Sequence, residues 1–290
     1  MPRIALVTCR PGPEVSEDRD LPGLVRALEE AGAKASAEVW DDGDVDWGAF
    51  DLAVIRSTWD YSWRSAEFTA WAERCGTATR LANPADVVRW NTDKSYLGEL
   101  AGAGVPVVDT RYLAPGDALD LPDGHEYVVK PTSGAGARFA ARYTPEEHDT
   151  AVRHLRRMHD EGFTAMVQPY VRSIDTVGER ALQFFGGSLL HASRKGAVLA
   201  PGTPYDQRKV AHPGLTAWTP TPAELDVAER ALAAVPGAPE LLYARVDLVD
   251  GEDGRPRVME LELVEPNLFL WLHPGSVPRV VDVVLNAAGR

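Results

Sequence analysis

A chain of 290 residues carrying a formal net charge of −13 is long enough for about two domains, and it should bury roughly 75% of the surface its unfolded form exposes, so it needs no covalent staples. Hydrophobic residues at 44% and charged residues at 25% are ordinary for a soluble protein, and the acidic balance argues against nucleic acid, whose phosphates require a basic partner surface. Two cysteines are too few for a thiolate zinc site, and no apolar run approaches the roughly 20 residues that span a bilayer, so a cytoplasmic protein with no membrane partner is expected.

RIALVTC, from Arg3, has too short an apolar core for a signal peptide and reads as a first strand, with Cys9 as a small core residue rather than a nucleophile. LPGLVRALEEAG predicts a helix closed by Gly32, KASAEVW and DLAVIRS predict two further strands, and EFTAWAERC another helix. This alternation implies a parallel, Rossmann-like layer, yet the first turn lacks G-x-G-x-x-G, so no dinucleotide site is expected there. The loop STWDYSW falls at a strand carboxyl end, where open α/β sheets place ligands. Arg56, Trp59, Asp60 and Tyr61 there could recognise an amino acid, with Asp60 pairing its ammonium beside an aromatic wall; alternatively Trp59, Tyr61 and Trp63 pack a domain interface.

Between residues 84 and 110 a helix, TDKSYLGELAGAG, precedes the extended VPVVDT. HEYVVKP and RFAARY predict strands joined by the glycine-rich TSGAGA. A helix follows, with Thr144 as N-cap, Pro145 at its first position, Glu147 completing a capping box and Gly162 ending it. FTAMVQPYV is another strand, and ERALQFF and SLLHASRK form a hairpin across Gly186 and Gly187. Residues 196–214, rich in proline and glycine, read either as an active-site loop or as a passive surface loop. TPAELDVAERALAAV is a helix, and LLYARVDLVD and RVMELELVE close the architecture as a hairpin.

That last hairpin raises a chemical question. Alternation sends Leu242, Ala244, Val246 and Leu248 to a core and leaves Arg245 and Asp247 on the other face; Glu260 and Glu262 share one face opposite Met259, Leu261 and Leu263. If Val249 pairs with Val258, Asp247 falls opposite Glu260 and Arg245 opposite Glu262. Arg245 neutralises one carboxylate and leaves two facing each other, so a magnesium-type oxygen site is favoured over a solvated face. Such a site needs phosphates. Lys130 ends an apolar strand just before Ser133, Gly134, Ala135 and Gly136, whose small residues let backbone N–H groups approach phosphate oxygens; no GK[ST] follows, so the loop is not a Walker A motif. Lys94 is a second candidate lysine, or an ordinary surface residue.

Taken in order, these segments resemble the ATP-grasp superfamily of carboxylate–amine ligases, especially its glutathione synthetase-like and ribosomal-protein glutamate ligase-like branch, over about residues 90–275. NTDKSYLGELAGAGVPVVDT looks like the family's D-K … G-[VI]-P-x-x-x-T segment, which makes Lys94 the first phosphate lysine, and VVKPTSGAGA looks like its second lysine and covering loop. MVQPYV is similar to the hinge strand that holds adenine through backbone at Gln168, Tyr170 and Val171, although Pro169 replaces the usual acid. GERALQFFGGSLLHASRK resembles the following hairpin, which implies that Glu179 contacts nucleotide and that Arg194 or Lys195 faces substrate and phosphate. ARVDLV resembles the R-x-D strand, so Asp247 would be a metal ligand and Arg245 would stabilise the transferred phosphoryl group. ELELVEP fits the E-x-N motif with Glu260 as bridging ligand and Glu262 in place of Asn; the frame Glu265-Pro266-Asn267 ranks second.

The resemblance implies an ATP-grasp α/β fold: a Rossmann-like substrate-side domain over residues 1–85, a linker helix region over 86–118, a small subdomain with the glycine loop over 119–171, and a C-terminal subdomain with the metal site over 172–290. It implies ATP with two magnesium ions, manganese being an alternative, and activation of a small amino-acid carboxyl as an acyl phosphate captured by an amine. RSTWDY, VVRWNTDK and ELELVEP are similar to the cycloserine-forming cyclo-ligases, which close O-ureido-serine onto its own carboxyl. An intermolecular amino-acid or peptide ligase and a non-catalytic nucleotide-binding protein stay open beside that reading, as does a homodimer.

Overall fold

Ile4, Ala5, Leu6 and Val7 are all fully buried, the signature of a parallel strand covered on both faces rather than an alternating one. They lie in β1 (Arg3–Thr8), which is followed by α1 (Leu21–Glu30), β2 (Lys34–Val39), β3 (Leu52–Ser57), α2 (Ser65–Ala78) and β4 (Leu81–Ala82) in a parallel sheet of order β2-β1-β3-β4. The structure is a computed structural model that describes residues 1–12, 17–207, 209 and 212–289. The first turn and the loop over residues 196–214 therefore lie partly outside the described residues.

Where one helix is expected after residue 84 there are two, α3 (Ala85–Asn91) and α4 (Tyr96–Gly102). Asp93 causes the break: its carboxylate accepts from Ser95 N at 2.9 Å and from the Thr132 hydroxyl at 2.7 Å, a local turn that competes with the helix. Lys94 sits in that break, its backbone N–H donating to Thr132 O at 2.9 Å.

The second sheet comprises β5 (Arg111–Leu113), β6 (Tyr127–Pro131), β7 (Ala141–Tyr143) and, after α5 (His148–Asp160), β8 (Ala165–Pro169), in the antiparallel order β5-β8-β6-β7. The Thr144/Glu147 capping box is present, on a single 3₁₀ turn that leads into α5. β7 is shorter than the expected RFAARY strand because Ala137 and Phe139 adopt left-handed φ values of 58° and 52°, which no strand accommodates.

After the short α6 (Ser173–Thr176), the third sheet holds β9 (Glu179–Phe185), β10 (Ser188–Lys195), β11 (Thr216–Trp218) and, beyond α7 (Pro222–Ala233), β12 (Tyr243–Asp250) and β13 (Pro256–Glu262), in the antiparallel order β11-β10-β9-β12-β13. Arg245 pairs with Glu262 and Asp247 with Glu260, but Val249 pairs with Arg257 rather than Val258, because a bulge follows Asp247. The bulge lies where Val258 is already engaged on its outer side, donating to Pro106 O at 2.8 Å and accepting from Val108 N at 3.0 Å. Farther along that edge Asn91 donates to Leu261 O and accepts from Leu263 N, Tyr96 Oη accepts from Leu261 N, and Asn83 donates to Leu263 O.

The architecture does not close on the hairpin. Helix α8 (Val277–Ala288) follows it, with Val280 and Val284 packed among Ile4, Leu6, Leu24 and Leu28, so the end of the chain covers the first sheet. Among the described residues no helix is long and apolar enough to cross a membrane.

Candidate active site

Residues of the second and third sheets, with the turn that follows β3 in the first layer, line one cavity of about 970 Å³. At one end the hairpin β12–β13 presents Arg245, Glu260 and Glu262, with Asp247 fully buried beneath them. Ligand atoms of Asp247, Glu260 and Glu262 all lie within 4.8 Å of one another, an oxygen set that suits a hard divalent cation.

The cations around this trio are already paired with it. Arg245 donates to both carboxylate oxygens of Asp247, at 2.8 Å from Nε and 2.7 Å from Nη2, and also bonds Glu262. Lys195, across β9 and β10 from Glu179, bonds that residue and donates to Asp247 at 2.7 Å. Lys94 reaches from the helix break to Glu260 at 3.2 Å and to Gly134 O at 2.6 Å.

These pairings set the proton affinities. Burial works against the charge on Asp247, yet Arg245 and Lys195 hold its carboxyl well below the usual range. Burial likewise opposes ionisation of Glu260, but Lys94 and Lys130 more than offset it and lower its pKa. Glu262 goes the other way: burial, with the neighbouring carboxylates, pushes it up to about 8 despite Arg245. Burial also raises Glu179 and lowers Lys130.

Lys130 itself has no carboxylate within ion-pair reach among the described residues, and the nearby Ser133 hydroxyl is buried without a partner. Gly134 could not carry a Cβ without crowding Pro131 at 3.2 Å, and Gly136 sits at φ +63°. A lysine without an acid, an orphaned hydroxyl and a tight glycine turn are what a polyphosphate chain would satisfy. Gly134, Ala135 and Gly136 line the cavity, as do Gln168, Tyr170 and Val171 of the β8 end and Glu179.

The loop after β3 differs from its expectation. Tyr61 and Trp59 line the cavity, but Arg56 is buried behind it and Asp60 is turned away, accepting from Trp40 Nε1 at 2.9 Å and pairing with Arg64 at 3.2 Å. Asp60 is thus committed inside the first layer and is not free for a substrate ammonium. Trp59 Nε1 donates to Glu265 O and Arg56 Nη1 to Pro266 O, each at 3.2 Å, so these two side chains grip the backbone just beyond β13. The Tyr61 hydroxyl, held far above its usual pKa by burial and by Glu265, faces the Glu265 carboxylate. Arg194, one residue before Lys195 and hence on the opposite face of β10, does not line the cavity.

Several lining residues carry no expectation as ligands. Met259 reaches the cavity because the bulge releases it from strict alternation. Arg138 of the glycine loop lies over the Trp63 ring at 4.3 Å, and Arg19 over Trp271 at 3.9 Å, and all four residues line the cavity. Glu265 and Asn267 are outside the carboxylate cluster; Asn267 instead donates to His212 Nε2 at 3.2 Å.

The family model for the N-terminal domain of D-cycloserine synthetase DcsG matches residues 4–83. The cycloserine biosynthesis protein DcsG of Streptomyces lavendulae is 42% identical over 286 residues, covering 92% of this chain and 93% of that protein. The crystal structure of D-cycloserine synthetase DcsG superposes with a TM-score of 0.86 at 36% identity, over 99% of both chains. D-alanine–D-alanine ligase from Bacillus anthracis, solved in complex with ATP, superposes with a TM-score of 0.70 over 99% of this chain and 97% of its own, and at 17% identity it shows a shared fold alone.

Proposed function

The chain belongs to the D-cycloserine synthetase DcsG family and is an ATP-grasp C–N ligase, and on that premise we propose that it closes O-ureido-serine into a cyclic product. The observation that carries this reading is the juxtaposition in one cavity of a carboxylate trio, three lysines and a buried substrate-side wall. In this reading residues 1–85 are the substrate-side domain, 86–118 a linker, 119–171 the glycine-loop subdomain and 172–290 the subdomain that holds metal.

Asp247, Glu260 and Glu262 would hold magnesium or manganese, which supplies charge neutralisation and orientation of phosphate oxygens when bound. Lys94, Lys130 and Lys195 receive the triphosphate, the glycine loop covers it, and the β8 end with Met259 flanks the base. The substrate carboxyl becomes an acyl phosphate with release of ADP; a nitrogen of the same molecule then displaces phosphate. Arg245 steadies charge on the transferred group, and the loops exclude water, which would hydrolyse the activated carboxyl.

The test supplies ATP, magnesium and O-ureido-serine with no second amine. ADP, phosphate and the cyclic product are expected together. If ADP forms only when a separate amine is added, an intermolecular ligase replaces the cyclo-ligase; if no amino acid releases ADP, the protein binds nucleotide without this chemistry.

A further inference from the structure

The substrate-side wall contains a carboxylate that the phosphate chemistry does not use. Glu265 is 7% exposed, lines the cavity and lies outside the metal cluster. Among the described residues no cation stands within ion-pair distance of it, although Lys94 acts on it from farther away. A buried carboxylate in that position is costly unless something positive completes it.

Three side chains fix where it points. Arg56 and Trp59 hold the carbonyls of Pro266 and Glu265 at 3.2 Å each, and the Tyr61 hydroxyl faces the carboxylate. Arg56 is 1% exposed and Tyr61 4%, so the support is rigid and dry. All three come from β3 and the turn after it, the segment that chemistry alone would assign to direct substrate contact. Their contacts instead make them a clamp on Glu265. Glu265 stands against Tyr61 and Trp59, with Lys94, Glu260 and Glu262 near enough to act on it but not paired with it.

We infer that Glu265 is the seat of the substrate's α-ammonium group, oriented by Tyr61 and by the Arg56–Trp59 grip on its backbone. The inference rests on the amino-acid ligase reading above and adds which chain group recognises the amino end. It follows that selection for an amino acid over its des-amino counterpart resides in one residue just past the metal strand. Burial already lifts the Glu265 carboxyl to about 7, and an ammonium beside it would restore its charge.

E265Q keeps the size and an acceptor for Tyr61 while removing the charge. Steady-state kinetics are measured for wild type and E265Q with O-ureido-serine and with its analogue lacking the α-amino group, or with whichever amino acid releases ADP if O-ureido-serine does not. The expected result is a loss in kcat/KM of about 10- to 100-fold for the amino substrate, carried mainly by its KM, an unchanged KM for ATP, and a variant-to-wild-type ratio near one for the des-amino analogue. Equal losses with both substrates, or no change in KM for the amino acid, overturns the assignment. Wild-type turnover of O-ureido-serine in the same plate reports on the cyclo-ligase reading separately. Tyr61→Phe adds a second readout: it should raise the amino-substrate KM and leave the des-amino analogue unaffected.

Discussion

The two ends of the cavity handle buried charge in opposite ways. At the phosphate end every carboxylate of the trio has a cationic partner, Asp247 with Arg245 and Lys195, Glu260 with Lys94, Glu262 with Arg245. At the proposed substrate end Arg56 donates to the Pro266 carbonyl and pairs with buried Asp18 at 3.8 Å, and Glu265 is left to a neutral hydroxyl. The first arrangement is a connected set of ion pairs. The second is an oriented carboxyl without an ion-pair partner among the described residues. The comparison teaches that carboxylates a few residues apart in one chain are accommodated by different means, ion pairs for the trio and a neutral hydroxyl for Glu265.

The sharpest way to break the phosphate end is to remove one member of the trio. E260Q should lower kcat by about 10³-fold or more, since the proposed metal-binding charge is lost, with a lowered thermal melt because buried Lys94 loses its ion-pair partner. D247N should abolish turnover too, but it also leaves buried Arg245 with Glu262 alone and Lys195 with Glu179 alone, and should cost about 3 kcal/mol of stability by denaturant titration. If E260Q remains fully active, the trio is not the catalytic centre.

A smaller effect separates the ends by metal. Calorimetry with chelator should show ATP binding weakened by about tenfold or more, restored by magnesium or manganese better than by zinc, because the donors are all oxygen. Binding of the amino-acid analogue at Glu265 should be much less sensitive. Equal nucleotide affinity with and without metal removes the metal assignment.

Proton linkage distinguishes the same two regions from the rest of the fold. Glu262 and Glu265 hold their protons up to about 8 and about 7 in the folded chain against an ordinary 4.5, so the folded state binds more protons across that interval. Ligand-free stability should therefore fall as pH rises from 6.5 to 8. Below 6.5 the sign reverses as other groups enter: burial lowers His154 and His191 to about 4 and His212 to about 3, so these neutral imidazoles cost stability as the pH falls. Melting curves across pH should flatten between 6.5 and 8 in E262Q; an unchanged slope would assign it elsewhere.

The smallest expected effect lies at the mouth, where the ends meet. R138A removes the contact of the glycine loop with Trp63 and should raise ADP released per cyclic product by about 2- to 5-fold, measured by coupled assay against product mass. No change would mean that the loop excludes water without that contact.

Much of the phosphate end is legible in the sequence because period-two alternation places Arg245, Asp247, Glu260 and Glu262 on facing strands whatever the surroundings. The pairing at the turn is not, since the bulge after Asp247 sits where residues 106–108 engage Val258, a contact 150 residues away that no local pattern contains. Lys94 was readable as a site residue but not as the occupant of a helix break, which depends on Thr132. Helix α8 escapes notice because its valine run carries a strand-like composition, and only burial against α1 and β1 selects the helix. The substrate wall is the least legible part. RSTWDY announces aromatic and charged side chains beside a ligand, but whether they touch it or hold Glu265 depends on where the chain beyond β13 passes.

Asn83, Asn91, Tyr96 and residues 106–108 occupy outer backbone groups of β13 and the residue after it at Val258, Leu261 and Leu263. A strand whose N–H and C=O groups are already spoken for cannot accept an extended peptide alongside it, and the opposite border of that sheet, β11, offers only Thr216–Trp218. Recognition by strand addition, an economical way for a protein to hold a polypeptide acceptor, is therefore closed beside the metal ligands.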